Sequence, residues 1–159
     1  MLGAFEKFWG TSELLTSMDA ATIMLPGRSD LPATPPWPHM DQSQCRRGFY
    51  ILQGLVNLNE CGDNDGGLMA LRGSHNLVQD YFDEHGRGED RSWGPVDSYS
   101  FTRDQEEWFE ARGCEWVKVN AKPGDLVLWD SRTMHYSVMP KGDKPRICVC
   151  ESSSGQRAA

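Results

Sequence analysis

Along most of this chain apolar residues alternate with polar ones or gather in short blocks, a rhythm that predicts strands. The longest such run is RRGFYILQGLVNLNE, residues 46–60, with Phe49, Ile51 and Leu55 among its apolar positions. It closes on CGDNDGG, a strong turn signal. DAATIMLP and LMALRG have strand character too, and the last third predicts strands near 115–119, 125–130, 133–139 and 145–151. Helical periodicity interrupts this pattern. FEKFWGTSELLTSM predicts a short amphipathic helix or two helical turns. SHNLVQDYFDEHG predicts a helix begun by a Ser74 cap. TRDQEEWFEARG predicts another, with Thr102 and Gln105 at capping-box spacing and Gly113 beyond its end.

The prolines of GRSDLPATPPWP deny both helix and central strand, and the polar GRGEDRSWGPVDSYS reads as a surface loop. Many short strands with few helices and no internal repeat predict a mainly β sandwich or jelly roll. One domain over residues 1–151 is expected, with a disordered tail at 152–159.

Composition removes several function classes. A net charge of -7 argues against nucleic-acid binding, which needs a basic surface. No apolar run approaches a membrane span, and the opening MLGAFEKFWG lacks the basic start and apolar stretch of a signal peptide. The five cysteines form no C-x-x-C pair, so free, mostly buried thiols in a reducing, cytoplasmic setting are expected. Cys148 and Cys150 share one face of a strand, a weak signal for redox or metal chemistry.

Four histidines carry the candidate chemistry. His85 lies in a polar stretch and reads as a solvated surface group, and His75 follows a helix-start signal and reads as a local hydrogen-bonding residue. His39 and Asp41 stand two apart and share one face if the segment is extended. Such a pair suits a salt bridge, half of a catalytic pair, or two ligands of a metal. His135, in the predicted strand pair DLVLWDSRTMHYSV, supplies a second imidazole. Two histidines and one carboxylate in this order form the facial triad, which leaves adjacent positions of an octahedral iron(II) open. A closed zinc site would use thiolates at spacings absent here. Arg146 follows His135 beyond the turn PKGDKP, and a hairpin there predicts both at one level of a sheet. Its guanidinium could fork onto a carboxylate.

Taken together, HMD at 39–41, NDGGLMALRGSH at 64–75, KPGDLVLWDSRTMH at 122–135 and Arg146 in KPRICV resemble the phytanoyl-CoA dioxygenase-like family over about residues 15–151. The resemblance implies a cupin-like double-stranded β-helix, iron(II), 2-oxoglutarate as cosubstrate and molecular oxygen. It implies His39, Asp41 and His135 as iron ligands and Arg146 as the arginine for the distal carboxylate of 2-oxoglutarate. Ser137 would add a hydroxyl to that carboxylate, and the Gln53 amide would reach cosubstrate or substrate. Gly73, Ser74 and His75 match a family signature read as structural. The chain departs from the pattern at Arg72, where the family has proline, and in its short flanks, which predict missing pocket walls.

The implied reaction is decarboxylation of 2-oxoglutarate to succinate and carbon dioxide, coupled to hydroxylation of a small organic metabolite. Asp41 argues for oxygenation, because related halogenases carry a small residue in its place. Two other readings stay open: a metal-binding but catalytically idle member, and a non-enzymatic jelly-roll module whose His39–Asp41 pair is a salt bridge. No basic run suggests a clamp for CoA phosphates. Trp37, Tyr50 and Trp129 lie near the motifs and are read first as core packing.

Overall fold

The computed structural model describes residues 1–17, 20–30, 32, 35–88 and 97–155. Helix α1 (Leu2–Trp9) leads into strands β1 (Leu14–Ser17), β2 (Ala21–Met24), β3 (His39–Met40), β4 (Leu52–Asn57) and β5 (Gly67–Arg72). Helix α2 (Ser74–His85), the short β6 (Tyr99–Ser100) and helix α3 (Arg103–Glu110) follow. The chain then runs through β7 (Glu115–Val119), β8 (Leu126–Asp130), β9 (His135–Val138) and β10 (Arg146–Gly155).

The strands form two antiparallel sheets. One has the order β1-β10-β4-β8, with β2 also on β10, and the other β6-β3-β9-β5-β7. This is the mainly β jelly roll expected from the sequence. Long β10 organises the first sheet: its start pairs with β2, its end with β1, and its other edge with β4.

Alternation along the second sheet separates chemistry from packing. His39 and His135 are a cross-strand pair, and Ala70 sits opposite His135 on β5. Their neighbours Met40, Met134 and Leu71 point the other way, into a core with Val78, Tyr81 and Phe82 of α2 and Phe109 of α3. The site therefore sits on the inner face of a sheet whose outer face is anchored by helices.

On the first sheet α1 packs through fully buried Phe5 against Gly54 of β4. A Cβ at Gly54 would stand 2.8 Å from Leu128 Cδ2 and 3.2 Å from Phe5 Cζ. Gly54→Val is expected to destabilise the fold by about 1–3 kcal/mol through overpacking, read as a lower urea midpoint.

Several sequence expectations need correction. Arg146 and His135 are not hairpin neighbours, because β9 and β10 belong to opposite sheets and the turn between them carries the chain across. LLTS, expected in a helix, is β1, since β10 offers it four partners from Ser152 to Gly155. The same pairing makes Ser152–Gly155 part of a strand where a disordered tail was expected. The Trp9 indole N–H donates to Ser153 Oγ at 3.2 Å and its ring covers Gly155, which fixes that end further. The remainder of the expected tail lies outside the described residues, as does most of the surface loop expected at 86–100.

Ser74 is the first helical residue and not the cap, which is Gly73 at φ 92°. The Ser74 hydroxyl instead accepts the Met134 backbone N–H at 2.9 Å and ties α2 to the strand that carries His135. The expected capping box of α3 is present, with Thr102 N–H donating to Gln105 Oε1 at 2.9 Å. Among the described residues no helix is long and apolar enough to cross a membrane.

Candidate metal and cosubstrate site

His39 lies in β3, Asp41 directly after it, and His135 opens β9. One ligand atom from each falls within 4.8 Å of the others. The local chain sets their orientation. His39 Nδ1 is 3.0 Å from the Trp37 carbonyl and His135 Nδ1 is 2.9 Å from the Thr133 carbonyl. A carbonyl can only accept, so each Nδ1 carries the proton and each Nε2 presents a lone pair. Both lone pairs face Asp41, with His39 Nε2 3.5 Å from Oδ1 and His135 Nε2 3.5 Å from Oδ2. Those separations are long for direct hydrogen bonds and leave room for a shared cation.

Gln53 completes the arrangement from the opposite sheet, its Nε2–H donating to Asp41 Oδ2 at 2.7 Å. Burial pushes the His39 imidazole below its ordinary range, and neighbouring His135 adds to the shift against the pull of Asp41. Burial alone would raise Asp41, but the His135 imidazole once protonated, the Gln53 amide and protonated His39 outweigh it and hold the carboxyl at about 2. Asp41 thus stays anionic above that value. The Gln53 hydrogen bond to the carboxylate is present throughout the neutral range and is lost only as the pH falls through about 2.

Replacing Gln53 with Leu frees one carboxylate oxygen to rotate away. The expected result is a ten- to hundredfold loss of iron(II) affinity by calorimetry, roughly the worth of an outer-shell hydrogen bond.

Arg146 is only 4% exposed. Its Nη1 donates to Ser137 Oγ at 3.0 Å and approaches Met24 Sδ at 3.9 Å, and no carboxylate pairs with it among the described residues. A buried guanidinium without a counter-ion is costly and favours an incoming anion. His39, Asp41, His135, Ser137, Arg146 and Gln53 all line one cavity of about 470 Å³ between the sheets. Ser137 follows His135 by two residues on the same strand, so the histidine–aspartate end and the guanidinium end of the cavity share a wall.

The implied ligand and cosubstrate residues are therefore all in this cavity, while Gly73, Ser74, His75 and His85 are not. Trp37 and Trp129 line it as well, where the first reading had placed them in core packing, and Tyr50 does not. The sequence reading missed Thr22, Leu68 and Ser152 as lining residues. Ser152 was accessible in principle, because it lies an even number of residues from Arg146 along β10. Thr22 was not, because nothing local announces that β2 pairs with β10. None of the five cysteines is in a disulfide among the described residues, and Cys150 faces the cavity.

Comparison with known proteins adds the following. The family profile described as phytanoyl-CoA dioxygenase (PhyH) matches residues 29–148. Ava biosynthesis cluster protein O of Aspergillus versicolor is 41% identical over 156 residues, covering 94% of this chain and 50% of that protein. Among solved structures, the epimerase SnoN in complex with Fe3+, alpha ketoglutarate and nogalamycin RO aligns with TM-score 0.64 and 21% identity, over 96% of this chain and 54% of its own. AviO1 from Streptomyces viridochromogenes Tue57 aligns with TM-score 0.62 and 20% identity, over 97% and 56%. The carbocyclase SnoK from nogalamycin biosynthesis aligns with TM-score 0.57 and 20% identity, over 84% and 47%. These structural likenesses are of fold. The chain spans about half the length of the curated relative and of these solved chains.

Proposed function

The chain belongs to the phytanoyl-CoA dioxygenase family, and on that premise we propose that it is an iron(II)- and 2-oxoglutarate-dependent oxygenase that hydroxylates a small organic metabolite. The observation that carries this reading is a buried, anion-seeking Arg146 in the same cavity as a preset two-histidine, one-carboxylate donor set.

The donor set fits iron(II). Neutral imidazole nitrogens and a carboxylate suit that ion, and their placement on one side leaves the cavity side open. His39 and His135 hold it through Nε2 and Asp41 through a carboxylate oxygen. Arg146 and Ser137 hold the distal carboxylate of 2-oxoglutarate, the first by charge and the second by hydroxyl. Gln53 keeps Asp41 from turning away. When bound, the iron supplies the oxygen chemistry that couples decarboxylation of 2-oxoglutarate to attack on a substrate C–H bond. The apolar walls at Leu68, Ile51 and Trp129 limit water at that point.

Asp41 supports oxygenation over halogenation, since halide would need its place. Solved relatives of the fold include an epimerase and a carbocyclase, so product analysis is part of the test. Purified protein with iron(II), 2-oxoglutarate and a metabolite panel should release succinate in step with a product one oxygen heavier. Iron binding without succinate under any condition would leave a metal-binding, catalytically idle protein.

A further inference from the structure

Trp37 holds an unusual position for a residue beside a metal ligand. Its ring lies parallel to the His39 imidazole, 3° between planes and 4.0 Å between centroids, yet half of its surface remains exposed at 50%. It lines the cavity, and its own carbonyl fixes the His39 tautomer. The indole therefore lies against the face of the ring whose Nε2 is turned toward Asp41, beside the place where these residues would hold an ion.

Trp129 is the other aromatic ring in the cavity, but it meets His135 at 63° and 5.4 Å, and its Nε1 is enclosed. Trp37 is thus both the indole stacked on a ligand-type imidazole and the more exposed of the two.

We propose that Trp37 is a modification site: when 2-oxoglutarate is consumed with no organic substrate in the cavity, a carbon of its indole is hydroxylated. This rests on the function proposed above. The balance is one O2 and one 2-oxoglutarate in, and one succinate and one carbon dioxide out. One oxygen atom enters succinate and the other the indole. A C–H bond breaks, a C–O bond forms, and the displaced hydrogen ends on the new hydroxyl. Two electrons come from the decarboxylation and two from the indole. Trp37 then marks the side of the centre on which substrate has to stand.

The test incubates the intact chain with iron(II), 2-oxoglutarate and air, with N-oxalylglycine replacing 2-oxoglutarate in the control. Peptide mass spectrometry should find the mass of one oxygen atom added at Trp37, absent from the control. A second readout needs no turnover: manganese(II) should quench tryptophan fluorescence, and Trp37→Phe should remove most of that quenching. Oxygen added at Trp129 or Cys150 with Trp37 unmodified would overturn the proposal. So would succinate formation with no mass change on the protein. If iron(II) and 2-oxoglutarate give no visible charge-transfer band, the functional reading fails first and takes this one with it.

Discussion

His135→Ala is expected to abolish tight iron(II) binding and to leave the fold intact. His135 supplies one of three donor atoms within 4.8 Å, and among the described residues no further histidine, cysteine or carboxylate joins that group. Outer-shell partners alone are worth ten- to a hundredfold in metal affinity, so loss of a ligand is expected to cost more than about a hundredfold. Stability should move much less. The side chain faces the inter-sheet cavity, whereas its neighbour Met134, fully buried, makes the packing contacts under α2. Calorimetry with iron(II) and a urea titration separate the two. Affinity loss accompanied by unfolding would assign His135 a structural role.

Replacing Arg146 with Met should split binding and stability in opposite directions. The guanidinium is buried and lacks a carboxylate partner among the described residues, so it is costly in the free protein. Met removes that charge while keeping an apolar stem against Met24, its cross-strand partner. Stability without ligand is expected to hold or rise by about 1–3 kcal/mol. Affinity for 2-oxoglutarate is expected to fall by roughly two to three orders of magnitude, the scale of removing one partner of a buried charge pair. Parallel loss of both would mean that Arg146 supports the fold and not the cosubstrate.

The contrast between these two residues shows how much of the site could be read from the chain. His39 and Asp41 are two apart, a local relation that strand geometry interprets directly. The strand positions of His135 and Ser137 are equally local, since TMHYSV follows a turn and alternates. The place of Arg146 is not local in this way. A hairpin would pair consecutive strands, whereas this jelly roll sends β9 and β10 to different sheets, and Arg146 reaches Ser137 across the cavity. Sheet assignment is decided by which long strand can serve several partners, and only the folded β10 reveals that.

The same cause explains the other misses. LLTS was read as helical and Ser152–Gly155 as a loose end because each is too short and polar to declare itself. They become strands by pairing with one another. Ser74 carries a helix-start signal that the structure satisfies with Gly73, freeing the hydroxyl to hold the backbone next to His135. Gln53 illustrates the reverse case. Its amide lines the cavity, where the resemblance has it reach cosubstrate or substrate, and its Nε2–H also donates to Asp41, a link between sheets that sequence distance hides.

The central claim is that one cavity holds iron(II) at the His39–Asp41–His135 end and 2-oxoglutarate at the Arg146 end. Its most direct test is the visible spectrum of the iron(II)-loaded protein as 2-oxoglutarate is added without oxygen. The account predicts a charge-transfer band that is lost in His135→Ala and needs far more 2-oxoglutarate in Arg146→Met. Iron bound with no band at any concentration, or a band that Arg146→Met leaves unchanged, would contradict it.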